Sequence, residues 1–284
     1  HHNFVDNFND DGLECGPKLR SHTMYIYQNR IGACLGVFQQ HEIDKDESPM
    51  THDAKSGVYI FRNVFDARDG VWYQLPAKAD PSRDFLHAEG HFLSDHGGPI
   101  FPVMRFYNNT LLRRTPVFRN NFLFGLGVVG LEKTERDVFN NIFVQMDQVP
   151  GVQFVAVKQA KELREGGNLL WGLKEGPTLK ADPFAKFRAS ALFTESRKRY
   201  EPGWTTHDRV ADPKFVKLGP DEKSPDLRLQ AESPAVNAGQ PVARDWPDPL
   251  RDTDKGAPDI GALPLGAEPW RVGIDGRLSL FEGR

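Results

Sequence analysis

The sequence predicts an all-β chain, a right-handed parallel β-helix solenoid of about six rungs with a C-terminal helix- and loop-rich cap. Three observations carry that expectation. A short strand ending in asparagine recurs along the chain, and a second strand begins at a constant distance after three of those asparagines. Within the strands, apolar residues alternate at period two, the spacing that sends successive side chains to opposite faces of a sheet.

The repeat is read directly. Tyr25-Ile26-Tyr27-Gln28-Asn29 is echoed by Tyr59-Ile60-Phe61-Arg62-Asn63, by Arg105-Phe106-Tyr107-Asn108-Asn109 and by Asp137-Val138-Phe139-Asn140-Asn141. The second strands open at Gly36-Val37-Phe38, Gly70-Val71-Trp72 and Pro116-Val117-Phe118. The block from Asn3 to Cys15 follows the same plan with a longer spacing, and Asn168-Leu169-Leu170-Trp171 reads as a last copy. Unequal intervals suit stacked strand pairs whose turns carry insertions. Alternation then places Ile26, Ile60, Phe106 and Val138 in one inward column and Leu13, Val37, Val71 and Val117 in another. Asn29, Asn63, Asn109 and Asn141 are expected to form a ladder at the bend, where asparagine tolerates left-handed backbone and can bond its neighbour above.

The expected organisation is residues 1–172 as rungs and 173–284 as a capping helix and extended tail. Asp182-Pro183 caps a helix with Phe184, Phe187, Ala191, Leu192 and Glu195 on one face, ended by Glu201-Pro202-Gly203. Because the chain opens inside a repeat, rungs before His1, or a partner, are expected to cover the bare solenoid end.

Bulk composition narrows the partners. Lys+Arg at 36 against Asp+Glu at 39 gives a net charge of -3 without a basic stripe, so a nucleic acid is not expected. No window approaches the roughly 18 apolar residues of a membrane span, and no membrane partner is expected. Cys15 and Cys34 lie outside any CxxC motif and are expected to be unbridged, because the register sets them far apart. A Gly-rich phosphate loop, a GxSxG elbow and a zinc-protease helix are all lacking, so no cofactor is expected.

DDGLE near the start, NRIGACLGV and YIFRNVFD in the next blocks, and DPKFV, SPAVNAG and PDIGA in the tail together resemble bacterial right-handed parallel β-helix proteins of the pectate-lyase-like superfold. The resemblance spans nearly the whole chain. It implies a secreted or periplasmic protein of carbohydrate-active type and leaves the chemistry open, since one fold hosts many activities.

Aligning the blocks on Gly12, Gly36, Gly70 and Pro116 gathers charge at one corner. Asp10 and Asp11 precede the first of these turns, Arg68 and Asp69 the third, and Arg114 the fourth. Just beyond the turns stand Glu14, Phe38, Trp72 and Phe118, an acid and three aromatics suited to the apolar faces of sugar rings. Glycosidic hydrolysis needs an acid and a second carboxylate. Asp10, Asp11, Glu14 and Asp69 are the pool for that pair, and Asp11 and Asp69, two rungs apart, would stand about 9–10 Å from each other, near the inverting range of about 6.5–9.5 Å. Arg68 and Arg114 could hold the carboxylate or sulfate of an acidic sugar. His87 and His91, in the HAEGH of the longest insertion, could also contact substrate. The expected function is therefore glycoside hydrolysis on a polysaccharide or oligosaccharide. The alternatives are a lyase acting on uronic acids by β-elimination, with a divalent cation such as calcium, and a non-catalytic glycan-binding solenoid.

Overall fold

A computed structural model of the chain describes residues 1–6, 8–11, 13–15, 23–32, 34–36, 39–41, 57–68, 71–73, 86–88, 94–96, 103–113, 135–146, 163–173, 182, 184–219 and 221–273. In chain order the strands are β1 (Phe4–Val5), β2 (Phe8–Asp11), β3 (Glu14–Cys15), β4 (Thr23–Tyr27), β5 (Arg30–Gly32), β6 (Cys34–Gly36), β7 (Gln39–His41), β8 (Gly57–Phe61), β9 (Val64–Ala67) and β10 (Val71–Tyr73). They continue as β11 (Leu86–Ala88), β12 (Ser94–His96), β13 (Met104–Tyr107), β14 (Thr110–Arg113), β15 (Arg136–Phe139), β16 (Ile142–Gln145), β17 (Leu163–Gly166) and β18 (Leu169–Gly172). Helices α1 (Ala185–Arg188) and α2 (Ala191–Arg199) follow, then β19 (Arg209–Val210), β20 (Phe215–Lys217) and β21 (Asp226–Leu229).

Two parallel sheets dominate. One is 7-stranded, in the order β1-β5-β9-β14-β16-β18-β19, and the other 5-stranded, in the order β17-β15-β13-β8-β4. They stack across a common core in which Ile31, Phe65, Leu111, Phe143 and Leu170 of the first meet Val58, Ile60, Met104, Phe106 and Val138 of the second. With helices following, this is an α/β-type arrangement. It corrects the expected all-β, right-handed parallel β-helix, because strand pairing among the described residues gives two separate stacked sheets and not a single closed solenoid. The physical reason is that the asparagine repeat dictates only a bend between two strands and the register of their parallel neighbours. It says nothing of the path by which the chain returns.

The register itself follows the alternation. Ile26 pairs with Ile60, Ile60 with Phe106 and Phe106 with Val138, all on the inner face, as the period-two reading expected. Val138 in turn pairs with Glu165, so a carboxyl group ends this apolar column. In the facing sheet Val5, Ile31, Phe65, Leu111, Phe143, Leu170 and Val210 form the matching column. Of the second expected column, Val37 and Val117 lie outside the described residues.

The asparagine ladder forms, and it is longer than the four residues expected. Asn3 donates its side-chain Nδ2 to Asn29 Oδ1, and the same bond links Asn29 to Asn63, Asn63 to Asn109, Asn109 to Asn141 and Asn141 to Asn168, all at 2.9–3.1 Å. Each Oδ1 also accepts the backbone N–H of the preceding ladder residue, so every such N–H at the bend is satisfied. The left-handed residue is not the ladder asparagine but the one before it. Gln28, Arg62, Asn108 and Asn140 have φ of 52°, 54°, 51° and 57°, and Gly167 has φ of 70°.

The segment beyond β18 does two things. Phe184 and Trp204 join the core between the sheets, with Phe187 and Leu192 packed against it. The chain breaks at Ala189–Ser190 into two helices where one was expected, and the Ser190 hydroxyl caps α2 by accepting the Phe193 N–H. The tail then lies on the outer face of the 7-stranded sheet, where Phe215, Leu227, Leu229, Ala235 and Ile260 bury Val64, Leu112, Ile142 and Leu169. Among the described residues no helix is long and apolar enough to cross a membrane.

Candidate functional site

The first block of the sequence pairs differently from the glycine alignment. Phe8 sits beside Cys34, but Asp11 sits beside Gly36, because an irregularity in β2 inserts one extra residue. The glycine alignment requires two extra residues in this block and the structure inserts one, so Glu14 pairs with Gln39 instead of Phe38, and Cys15 with Gln40 instead of Gln39. Asp11 is therefore not level with Leu35, which alters the column from which the carboxylate spacing was derived. Asp10 and Asp11 belong to β2 and Glu14 to β3. Trp72 of β10 pairs antiparallel with His87 of β11, which unites two residues of the expected binding set. Phe38, Asp69, His91 and Arg114 lie outside the described residues.

Arg68 is fully placed. Its guanidinium makes a bidentate pair with Asp66, Nε to Oδ1 at 2.6 Å and Nη2 to Oδ2 at 2.8 Å, and donates through Nη1 to the Glu222 carbonyl. Asp66 is in reach because it stands on β9, two positions before Arg68. The Asp66 Oδ2 oxygen also accepts from Arg30 Nη2 at 3.4 Å, so one carboxylate orients two guanidiniums across neighbouring strands.

Beside this cluster lies a cleft of about 190 Å³ whose floor is Arg30 and Val64 on the outer face of the 7-stranded sheet. Its walls come from the tail: Asp226 and Leu227 of β21, Leu263, and Trp270. Arg30 is half-exposed and lies 6.0 Å from the ring centre of Phe4, itself exposed on the neighbouring strand β1. Asp226 is held below the usual carboxylate range by the bidentate Arg228 guanidinium, so it faces the cleft ionised. The far wall is anchored where the Gly273 N–H donates to the His2 carbonyl at 3.0 Å. An indole, a guanidinium and a carboxylate over an aliphatic floor can stack on one face of a sugar ring while bonding its hydroxyls.

A second feature occupies the outer face of the 5-stranded sheet. One row runs Tyr25, Tyr59, Arg105, Asp137, Arg164 across five paired strands. Tyr25 and Tyr59 are tilted with ring centres 5.4 Å apart, and the Arg105 guanidinium lies 4.8 Å from the centre of Tyr59. Asp137 is fully buried, which pushes its carboxyl upward, against the opposing pull of the bidentate Arg164. The adjoining row stacks Tyr27, Phe61 and Tyr107 at 5.0 and 5.2 Å, and Trp246 of the tail packs on it. An aromatic row was expected at Phe38, Trp72 and Phe118. Phe38 and Phe118 lie outside the described residues, and the rings described here form a separate row on the repeat strands, signalled by their regular appearance at alternate positions.

Among the described residues no group of three or more His, Cys, Asp or Glu side chains is arranged to hold a metal ion. Fold and cleft together define a parallel-sheet protein whose C-terminal tail builds a cleft on the outer face of the larger sheet. No family model, curated protein or solved structure gives a match to the chain.

Proposed function

We propose that the protein acts on polysaccharides, seating a sugar residue in the cleft between Arg30 and Trp270 and cleaving glycosidic bonds by hydrolysis. The observation that carries the reading is that cleft, where an indole, Arg30 and an ionised Asp226 surround an aliphatic floor. The sequence resemblance to carbohydrate-active bacterial proteins of the pectate-lyase-like type supports it, and a secreted or periplasmic location accords with such substrates. The acid and base come from Asp10, Asp11, Glu14 and Asp69, the carboxylate pool of the turns. Arg68 is an anchor in this reading, bonding Asp66 and the Glu222 carbonyl through all three nitrogens.

Incubation with neutral, uronic and sulfated polysaccharides, reading reducing ends and near-ultraviolet absorbance in parallel, tests the proposal. New reducing ends without absorbance are expected. Absorbance would assign a lyase, and retention of a glycan without any product would assign a binding protein.

A further inference from the structure

Glu165 breaks the pattern of its own column. Its inward neighbours Ile26, Ile60, Phe106 and Val138 are apolar, yet it is a carboxyl group with no exposed surface. It meets Asp208, the residue that ends the asparagine ladder. Asp208 Oδ1 accepts from the Asn168 backbone N–H at 2.8 Å and from Asn168 Nδ2 at 3.3 Å, taking the place of a seventh ladder side chain. Glu165 accepts from Asn168 Nδ2 at 3.0 Å and from the Thr205 N–H. Asp208 Oδ2 is buried without a donor in the structure, and it is the oxygen left to receive a proton from Glu165.

Among the described residues no cation bonds either carboxylate. Arg188 reaches Thr205 through Oγ1 and the carbonyl and reaches Asp182, acting on Asp208 only at a distance. Arg164 is committed to Asp137 on the opposite face of the sheet. Tyr200 faces the pair from the end of α2 and is itself pushed up to about 12, by burial first and then by these two carboxylates. His207 and Arg209 flank Asp208 in the chain, half-buried and exposed respectively. A doubly ionised pair in this setting is strongly disfavoured, because burial without a counter-charge penalises the charged form.

We propose that Glu165 and Asp208 form a proton-sharing latch that fastens the helical cap of residues 184–208 to the last strand pair, and that the latch opens when the shared proton is lost. The connections it would release are specific. Thr205 gives its N–H to Glu165, Trp204 Nε1 donates to the Leu163 carbonyl at 3.0 Å, and Arg209 N donates to the Asn168 carbonyl at 2.9 Å. Burial raises both carboxyls, Asp208 to about 6 and Glu165 well above its ordinary value. A raised folded-state value means that the stabilisation is complete below the unfolded value and is lost as pH climbs through the folded one. The cap therefore closes in acid and loosens toward alkaline pH.

Hydrogen exchange of the whole chain, with each rate divided by the intrinsic chemical rate, reads the latch directly. In the unmodified protein the opening constant of peptides within 184–210 should rise by up to about tenfold per pH unit between the ordinary carboxylate value and the raised folded one and level off beyond it, while that of 226–262 stays level. Glu165→Gln, which keeps a donor toward Asp208 at every pH, should flatten that rise, and Asp208→Asn should do the same from the other side. Opening of 184–210 that is independent of pH in the unmodified protein would overturn the latch, whatever the variants do. So would an undiminished slope in either variant.

Discussion

Arg62 Nη2 lies 2.7 Å from Asp248 Oδ2, joining the bend after β8 to a tail residue 186 positions later, and both side chains are almost wholly buried. Arg62 Nε bonds the other oxygen at 3.0 Å, Nη1 donates to the Gly261 carbonyl at 2.9 Å, and Asp254 stands 3.4 Å away. One guanidinium thus fixes three points of the tail. Its backbone is left-handed, so the chain spends conformational strain to aim that side chain outward at the bend.

Arg62→Met should destabilise the protein by about 3–5 kcal/mol, the cost of stranding a buried carboxylate. The double variant Arg62→Met with Asp248→Leu should recover part of that loss, since neither charge then remains uncompensated. Denaturant midpoints of the three proteins check this, and equal destabilisation of single and double variants would show that tail packing, not the ion pair, holds this contact.

The ladder predicts a gradient. Asn109 is fully buried, donating to the Ile60 and Tyr107 carbonyls and to Asn141 while accepting from both nitrogens of Asn63. Asn109→Ala orphans several of these groups and should cost about 3 kcal/mol or more, at about 1–3 kcal/mol for each buried group left unsatisfied. Asn3 ends the ladder on the exposed side, so Asn3→Ala should cost about 1 kcal/mol or less, with water replacing the lost partners. Similar losses at both positions, measured by denaturant unfolding, would show that burial does not grade the ladder.

Core packing gives a simpler contrast. Phe106 lies at the centre of the inward column with no exposed surface, between Ile60 and Val138. Phe106→Ala should cost about 3–5 kcal/mol. Tyr25→Ala, at an exposed position on the outer face of the same sheet, should cost about 1 kcal/mol, little more than one stacked ring contact.

Which parts were legible follows from what holds them. The inward column and the ladder were readable because period two sets the face and a repeated asparagine sets the register, both within a few residues of chain. The first block departs where the spacing from Asn3 to Gly12 calls for two extra residues but β2 inserts only one, so Glu14 stands beside Gln39 instead of Phe38, a difference that no spacing of glycines reveals. Two sheets in place of one solenoid escaped notice because chain return is not encoded in the bend. The cleft was invisible for a different reason. Trp270 reaches the neighbourhood of Arg30 only after the tail has crossed the larger sheet, and no local pattern in a Pro/Gly-rich stretch marks its destination. Arg68 belongs to the charged corner before the turn, but its partner Asp66 stands on the preceding strand, outside that column.

The cleft supplies the last prediction. Trp270 and Arg30 both line it, one from the tail and one from β5, so they test the same site from two elements. Trp270→Ala removes the aromatic plate that lines the cleft and should weaken glycan binding by about tenfold or more, the ~1.4 kcal/mol expected of an aromatic anchor. Arg30→Gln keeps a hydrogen-bonding side chain but loses the charge, so its effect should be large for uronic or sulfated glycans and small for neutral ones. Arg30 is half-exposed, and Asp66 keeps its bidentate bond to Arg68 without it, so the variant should melt close to the unmodified protein. Titration calorimetry with neutral and acidic oligosaccharides, run beside thermal melts, separates binding from folding. Unchanged affinity for every glycan in both folded variants would remove the cleft as the sugar site.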